Sequence, residues 1–389
     1  HSHVCAQRLT GEVVCWGGND GGQLGGGVMG DKPAPDSDVL VPSSSGLSSG
    51  GHHACTVEPS GTAWCWGDNG AGRLGDGSEG RRRYPVQVQD VGSPWRQISA
   101  GYFNTCGVTA KGEVWCWGRN MLGLAEGTGN APDLMLAPVR VAGLEDVVAV
   151  GAGVVHLCAR TGAGRVWCLG GNDDLQLGDG TNFFNAEPRE VSSVVGATWL
   201  EVGSDLTCAG DDAGHAWCWG TGPASPDGHS DSWPSPVPLG QDTRRVEISN
   251  SVTCTVDQTG SVSCVGWNGL CQVGATTQEI WGDSVLAQLD PVVDLALGSH
   301  HACALHANGT TSCWGNNHNG NLGTGTDGGK ACSPQPGPTL PGAVSLEAGN
   351  DHTCAHFADG HTSCWGSNGF AQLGDGDAWS PELVAVQGL

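Results

Sequence analysis

Two cysteines separated by nine residues recur eight times along this chain of 389 residues. The first cysteines of successive pairs lie 50, 51, 52, 50, 46, 49 and 51 residues apart. The pairs are Cys5 with Cys15, Cys55 with Cys65, Cys106 with Cys116, Cys158 with Cys168, Cys208 with Cys218, Cys254 with Cys264, Cys303 with Cys313, and Cys354 with Cys364. A fixed period of this size is typical of a solenoid, a propeller or a linear array of one structural unit.

Each unit contains a glycine six residues after its first cysteine. These glycines are Gly11, Gly61, Gly112, Gly164, Gly214, Gly260, Gly309 and Gly360. Glycine suits a hairpin turn because it adopts positive φ without steric cost. A hairpin folded about this point places the two cysteines of a unit opposite each other, within reach of a disulfide.

About four short strands can be recognised in each unit. The hairpin supplies two, a Pro-x-x-Val segment such as that at Pro85 supplies the third, and an alternating segment such as 95–100 leads into the next unit. Glycine accounts for 66 residues, mostly in turn contexts, and runs that favour helix are scarce. We therefore predict an all-β fold, a β-propeller made of four-stranded blades.

The repeated run Gly-x-x-His-x-Cys-Ala, followed by Cys-Trp-Gly-x-Asn and Gly-Gln-Leu-Gly, resembles the repeat of the regulator of chromosome condensation family. The clearest copies are residues 301–323 and 352–376, and the resemblance extends over essentially the whole chain. It implies a β-propeller. Family propellers usually have seven blades, whereas this chain has eight units. We expect a single domain over residues 1–389, with eight blades, and seven blades plus an overhanging hairpin as the alternative.

The sixteen paired cysteines are expected to form one disulfide in each unit, which requires an oxidising compartment. Cys271 and Cys332 lie outside the pattern and are expected to form a ninth bridge between neighbouring loops. Two alternatives remain open for the pairs. One is reduced thiols, and the other is a zinc site that adds the histidine found two residues before the first cysteine in five units, as in His53 and His156.

Charge and hydropathy exclude several partners. The formal net charge is −24, and the basic runs are confined to Arg81–Arg83 and Arg244–Arg245, so a nucleic-acid partner is not expected. No apolar stretch is long enough for a membrane span, so direct membrane insertion is not expected either. Because the chain starts at His1 within a repeat, we interpret it as part of a longer precursor.

Tryptophan flanks the second cysteine in most units, as in Trp64 and Trp66. Both flanking positions are expected to fill the space between blades. For partner binding, the variable loops are the better candidates, because binding residues concentrate on loops of a rigid scaffold. The candidate contact residues, most of them in the divergent loop 223–236, are Asp227, His229, Trp233, Trp281 and Trp379.

No catalytic constellation, cofactor-binding loop or metal-binding motif is evident, so we expect neither an enzyme nor a cofactor or metal. The sequence favours an exported, disulfide-stabilised propeller at the cell surface or secreted, which binds a protein or like subunits through rim loops. The resemblance includes Cys-paired, secreted bacterial propellers, one of them an enzyme inhibitor. An inhibitor-like role and a carbohydrate-binding role are the alternatives. The nucleotide-exchange role of the family's namesake is disfavoured by the acidity and the paired cysteines.

Overall fold

The fold was analysed in a computed structural model. It describes residues 3–7, 13–17, 24, 32–36, 46–50, 53–124, 133–221, 232–238, 242–249, 252–274, 281–285, 289–326, 328–358, 362–367 and 380–385. In these ranges the regular structure consists of strands, arranged in eight antiparallel sheets. The sheets follow one another along the chain and are called blades 1 to 8 below. The predicted all-β propeller class is confirmed, whereas a ring of eight or of seven blades stays a prediction.

The strand bounds are as follows. Blade 1 has β1 (His3–Gln7), β2 (Val13–Gly17) and β3 (Lys32–Asp36). Blade 2 has β4 (Gly46–Ser49), β5 (His53–Val57), β6 (Ala63–Gly67) and β7 (Arg82–Gln87). Blade 3 has β8 (Trp95–Ala100), β9 (Asn104–Thr109), β10 (Val114–Arg119) and β11 (Leu134–Arg140). Blade 4 has β12 (Val147–Ala152), β13 (His156–Thr161), β14 (Val166–Gly170) and β15 (Asn185–Glu190).

The second half repeats this arrangement. Blade 5 has β16 (Trp199–Val202), β17 (Leu206–Gly210), β18 (Ala216–Thr221) and β19 (Ser232–Pro238). Blade 6 has β20 (Thr243–Ile248), β21 (Val252–Asp257), β22 (Val262–Trp267) and β23 (Trp281–Val285). Blade 7 has β24 (Val292–Leu297), β25 (His301–His306), β26 (Thr311–Asn316) and β27 (Lys330–Pro336). Blade 8 has β28 (Ala343–Ala348), β29 (His352–Phe357), β30 (Thr362–Gly366) and β31 (Ser380–Ala385).

The hairpin at the centre of each blade follows from the glycine turn. Gly61 and Gly112 have φ values of 84° and 75°, which a residue with a side chain rarely adopts. In blade 2 this turn sets the register in which Cys55 lies directly opposite Cys65. The turn also anchors the next blade, because the carbonyl of Gly61 accepts the N–H of Trp95, the first residue of β8, at 2.8 Å.

In every blade a disulfide joins the two strands of the hairpin that folds about the recurrent glycine, and these eight bridges are the pairs that the sequence predicts. Their Cα atoms lie 4.1 or 4.2 Å apart, as expected for directly opposed residues. The bridges join Cys5 with Cys15, Cys55 with Cys65, Cys106 with Cys116, Cys158 with Cys168, Cys208 with Cys218, Cys254 with Cys264, Cys303 with Cys313, and Cys354 with Cys364.

The ninth bridge differs from the other eight. It joins Cys271, in the blade 6 loop, to Cys332, on β27 of blade 7, across 61 residues of sequence. It therefore links two neighbouring blades, whereas each of the other bridges closes a hairpin within one blade. No described cysteine is free.

The core consists of layers between blades. Tryptophans that follow the second cysteine are completely buried in these layers. They are Trp16, Trp66, Trp117, Trp219, Trp314 and Trp365. The tryptophans that precede the cysteine, such as Trp64 and Trp115, are only half-buried. The expectation that both flanking positions pack between blades therefore holds in full for the second position and only in part for the first.

Candidate functional site

The loop after the second cysteine is held in shape by the asparagine that recurs there. In blade 2 the side-chain oxygen of Asn69 accepts the backbone N–H of Leu74 at 3.0 Å. Asn172 in blade 4 accepts the N–H of Leu177 at the same distance. Both asparagines are completely buried. Because a buried amide is costly unless it is bonded, this pattern makes one loop conformation much more stable than its alternatives.

Each such loop also accepts a hydrogen bond from a tryptophan of the following blade. The indole N–H of Trp117 donates to the carbonyl of Arg73 at 2.9 Å, and that of Trp219 donates to the carbonyl of Gln176 at 3.1 Å. A Cβ on Gly178 would lie 2.6 Å from the Trp219 ring, so only glycine allows this approach. The Gln-Leu-Gly segment therefore packs against the tryptophan of the next blade and accepts its indole N–H, and the rest of the loop lies at the surface.

The histidine that precedes the first cysteine makes a second bond between blades. Nε2 of His53 lies 2.7 Å from Oγ1 of Thr105, and Nε2 of His156 lies 2.9 Å from Oγ1 of Thr207. His301 contacts Thr353 in the same way, at 2.8 Å. Thr105 donates its hydroxyl proton to the carbonyl of Arg73, so the His53 ring must donate from Nε2.

In each blade, the loop between the first two strands and the loop between the last two strands lie on the same side, where these bonds hold them. We call this side of the molecule the loop face. In blade 3 this face carries Tyr102, which is 42% exposed, in edge contact with Phe103. The guanidinium groups of Arg73 and Arg119 lie 6.0 and 5.6 Å from the centre of the Phe103 ring. These distances fit cation–π contacts.

Two ion pairs complete this region. Asp68 contacts Arg73 at 3.4 Å and the exposed Arg81 at 3.4 Å. We call Arg73, Arg81, Tyr102, Phe103 and Arg119 the Arg–aromatic patch. Arginine and tyrosine dominate the energetics of protein interfaces, because they combine contact area with hydrogen bonding. Arg73 itself is buried, whereas Arg81, Tyr102 and Arg119 are exposed, and these three make the cluster a candidate protein-binding surface.

Further aromatic surface lies on the adjacent blade. Phe183 and Phe184, in the loop before β15, are 73% and 53% exposed. A Cβ on Gly123 would lie 2.6 Å from the Phe184 ring, so the blade 3 loop and the blade 4 loop are in direct contact. Apolar side chains with this degree of exposure extend the candidate surface toward blade 4.

A second candidate is a pocket on the innermost strands. The first strands of adjacent blades contact each other, as when Gln97 of β8 bonds both the N–H and the carbonyl of Val150 in β12. These strands line the axis of the propeller. A pocket of about 520 Å³, the channel pocket, lies where β16, β20 and β24 meet. It is lined by Trp199, Glu201, Arg244, Arg245, Val246, Glu247 and Val293.

Charged groups in the channel pocket are strongly coupled. Nε of Arg245 donates to Oε1 of Glu247 at 2.6 Å, and the same guanidinium contacts Asp294. Burial raises the pKa of Glu247 to about 7, with Glu201 and Asp294 adding to the rise and Arg245 opposing it. The pKa of Glu201 is raised in the same direction by partial desolvation, against the opposing charge of Arg245, although the residue itself is exposed.

The contact residues predicted from the sequence are placed only in part. Trp233 lies on β19 and Trp281 on β23. Asp227, His229 and Trp379 lie outside the described residues. All five stay predictions. The Arg–aromatic patch was not predicted from the sequence, although a signal was present: unit three has the aromatic pair Tyr102-Phe103 at a position where most other units have small or polar residues, such as Ser204-Asp205.

The fold and the loop architecture define a class of protein, a repeat propeller with one internal disulfide in each blade. Two family models, both described as the Regulator of chromosome condensation (RCC1) repeat, match this chain. One matches residues 60–108 and 308–356, and the other matches residues 95–122 and 292–321. Residues 60–122 and 292–356 therefore match the repeat of the regulator of chromosome condensation family.

Two curated relatives illustrate the range of proteins with such repeats. The Ultraviolet-B receptor UVR8 of Arabidopsis thaliana is 28% identical over 352 residues, which are 83% of this chain and 77% of UVR8. The E3 ubiquitin-protein ligase HERC2 of Homo sapiens is 28% identical over 320 residues, which are 75% of this chain. The chain spans only 6% of the length of HERC2.

Among solved structures, the crystal structure of Prp20p from Saccharomyces cerevisiae is similar to this chain. The TM-score is 0.66 at 18% identity, and the similarity covers 90% of this chain and 91% of Prp20p. At this level of identity the likeness concerns the fold. Prp20p is described together with its binding to Gsp1p and histones.

Proposed function

We propose that this chain is an exported, disulfide-stabilised propeller that binds another protein through its loop face. The proposal rests chiefly on one observation, the exposed Tyr102 beside the stacked Phe103 and Arg119 on a rigid scaffold. The loop that carries Arg73 is fixed by the buried Asn69 and by Trp117, and Nη1 of Arg73 donates to the carbonyl of Tyr102 at 3.3 Å, so Tyr102 is presented in one arrangement. Binding then costs little conformational entropy, which is the advantage of a preorganised surface.

The compartment is inferred from the disulfides. Nine bridges among the described residues are typical of an oxidising environment, because cytosolic thiols are kept reduced. The described part of the chain contains no helix that is long and apolar enough to cross a membrane. Secretion or display at the cell surface is consistent with the disulfides.

The surface favours a binding role over an enzymatic one. Propellers act as scaffolds for many functions, so the argument must come from the site. The Arg–aromatic patch offers contact area and hydrogen-bond donors, and its five residues include no nucleophile paired with a base. That the relatives include a protein named as a receptor, and that Prp20p is described as binding proteins, supports a protein partner. An inhibitor-like role, in which the face covers another enzyme, is a special case of the same proposal.

The compartment is tested by the mass of the native-source protein after alkylation in denaturant without reductant. We expect no alkyl groups on any of the 18 cysteines. Alkylation of all of them would overturn the hypothesis of export and would favour an intracellular exchange-factor role. Alkylation of Cys271 and Cys332 alone would leave the hypothesis of export intact and would reject the bridge between blades 6 and 7.

The binding role is tested with a matched pair of variants. The double variant Tyr102→Ala/Arg119→Ala alters the loop face, whereas Tyr84→Ala removes another exposed tyrosine, 57% exposed on β7, outside the patch. Each immobilised protein is incubated with the extracellular fraction of its native source, and retained proteins are identified by mass spectrometry. A partner retained by the parent and by Tyr84→Ala, but lost from the double variant, is the expected result. Equal retention by all three would reject the patch.

A glycan partner is the second candidate, and it is favoured by the aromatic rings of Phe183 and Phe184. Binding of the parent to a glycan array, with loss in Phe184→Ala and no loss in Tyr84→Ala, would favour a glycan over the protein partner.

A further inference from the structure

We propose that the bridge between Cys271 and Cys332 is a redox-sensitive switch, which a dithiol reductant opens while the eight hairpin bridges stay closed. In the oxidised form the bridge holds the blade 6 loop, residues 268–274, against the edge strand β27 of blade 7. In the reduced form the loop is released from that strand. The switch is separate from the Arg–aromatic patch, which blades 2 and 3 form.

Cys332 is the accessible end of this bridge. It is partly exposed on β27, whereas the other 17 cysteines are buried, with at most 7% of their surface exposed. The rate of thiol–disulfide exchange depends on access to the sulfur that is attacked. A thiol in solution therefore reaches the bridge between blades 6 and 7 at Cys332, and reaches a hairpin bridge only if the blades separate.

The two kinds of bridge also differ in what holds their sulfurs together after reduction. Within a blade the paired cysteines are directly opposed, as Cys254 is to Cys264, so the hydrogen bonds of the hairpin keep both thiols in place. Cys271 and Cys332 belong to different blades and are separated by 61 residues of sequence. Their effective concentration after reduction is therefore lower, which favours the reduced form at equilibrium.

The backbone of the blade 6 loop favours release as well. Cys271 has a φ of 67°, in the left-handed region. The corresponding residues of blades 2 and 7 are Gly72 and Gly320, with φ values of 73° and 72°. A residue with a Cβ is strained in this region, because its Cβ lies too close to the following carbonyl oxygen. The intact bridge helps to hold Cys271 in this conformation, and the loop can relax once the bridge opens.

The contact between blades 6 and 7 lacks the histidine bond that occurs between other blades. Val252 and Ala302 occupy the positions at which His53 meets Thr105 between blades 2 and 3. Both residues are buried and apolar. The bridge is therefore a covalent connection at a contact from which this polar connection is missing.

The blade 4 loop, residues 172–178, shows how a similar loop is held without a bridge. Leu175 lies at the position of the bridged cysteine, with a φ of 62°. Thr221 of blade 5 donates its hydroxyl proton to the carbonyl of the adjacent Asp174 at 3.0 Å. In blade 6, Nζ of Lys330 donates to the carbonyl of Gly269 at 2.9 Å, but this bond is exposed and water competes for it. Opening of the bridge therefore loosens the blade 6 loop more than any change of redox state loosens the blade 4 loop.

Opening is a thiol–disulfide exchange. A thiolate of the dithiol attacks Sγ of Cys332, the S–S bond breaks, and Cys271 leaves as a thiolate that takes up a proton. The second thiolate of the reductant then attacks the mixed disulfide and releases Cys332, which is protonated in turn. The bridge gains two electrons and two protons, and the dithiol is oxidised to a disulfide.

The test uses the oxidised protein in buffers with different ratios of reduced to oxidised dithiothreitol. Free thiols are trapped by acid, alkylated and located by peptide mass spectrometry. We expect Cys271 and Cys332 to be alkylated together, at a ratio at least about tenfold lower than the one that opens any hairpin bridge, such as Cys254 with Cys264. Hydrogen exchange of the same samples should become faster in residues 268–274 and stay unchanged in residues 172–178.

The variant Cys271→Ser/Cys332→Ser is the control for the open state. Without reductant, it should show the hydrogen exchange of the reduced parent in residues 268–274, and added dithiothreitol should not change it further. Opening of this bridge together with the hairpin bridges, or after them, would overturn the proposal. So would selective opening without faster exchange in residues 268–274, because the bridge would then be reducible without controlling the loop. None of these outcomes bears on the Arg–aromatic patch.

Discussion

The contact between blades 4 and 5 and the contact between blades 5 and 6 use the same repeat positions with different results. At the first, His156 bonds Thr207 and both are completely buried. At the second, Leu206 takes the place of the histidine, and the hydroxyl of Thr253 is buried without a hydrogen-bond partner among the described residues. The threonine is present at both contacts, but its histidine partner is present at only one.

This comparison shows where the repeat is under strain. A buried hydroxyl that lacks a partner costs on the order of 1–3 kcal/mol. The glycine against which the histidine ring packs is present at both contacts. A Cβ on Gly153 would lie 2.3 Å from the His156 ring, and Gly203 occupies the same position before Leu206. The contact between blades 5 and 6 therefore keeps the threonine and the glycine of this arrangement but lacks the histidine. The same contact borders the channel pocket.

The largest effect is expected from acid. Burial lowers the pKa of His156 to about 3 and that of His301 to about 4. A histidine with a depressed pKa stabilises the fold above its unfolded value near 6.5, and this stability is lost as the pH falls toward the folded value. Between about pH 7.5 and about pH 4.5 the free energy of unfolding in urea should therefore fall further for the parent than for His156→Leu/Thr207→Val, which has no histidine at this contact. A difference that stays constant would mean that His156 does not titrate in this range.

The next effect is expected from His156→Leu alone, which copies the blade 5–6 contact at the blade 4–5 contact. Loss of the bond leaves Thr207 unsatisfied, so the free energy of unfolding at neutral pH should fall by about 1–3 kcal/mol. Adding Thr207→Val should recover part of this loss, because the double variant no longer buries a hydroxyl without a hydrogen-bond partner. If the double variant is no more stable than the single one, the Thr207 hydroxyl is not the source of the cost.

A smaller gain is expected from Thr253→Val, which removes the unsatisfied hydroxyl at the blade 5–6 contact. The melting temperature should rise, by an amount that corresponds to about 1 kcal/mol. Thr353→Val is the control, because it removes a hydroxyl that bonds His301, and it should be destabilising. A destabilising Thr253→Val would show that this hydroxyl is bonded in solution.

The smallest effect is expected from Leu206→His, which restores the missing ring. Gly203 provides space and Thr253 provides the partner, so a net gain of about 0.5–1 kcal/mol at neutral pH is expected. The gain should vanish when Thr253→Val is added, and calorimetric unfolding of the two variants measures this. An equal gain in both would assign the effect to packing of the ring instead of the bond.

Much of the fold was predictable because its determinants are local. The glycine six residues after each first cysteine creates the hairpin, and the hairpin sets the register that opposes Cys55 to Cys65. Alternation within a strand is equally local, so the strands could be recognised. The difference between Trp64 and Trp66 could not, because both lie on the same face of β6 and only the neighbouring blade decides which of them it covers.

The candidate sites were harder to predict, since their parts come from different blades. Arg73 reaches Phe103 from the preceding blade, and Glu201, Arg245 and Asp294 meet on three successive inner strands. Repetition within the chain therefore determines the unit, its disulfide and its turn, through interactions that close within 10 residues of sequence. Which His finds a Thr and which aromatic ring stays exposed depend on packing between units 46 to 52 residues apart, and so only the assembled propeller decides them.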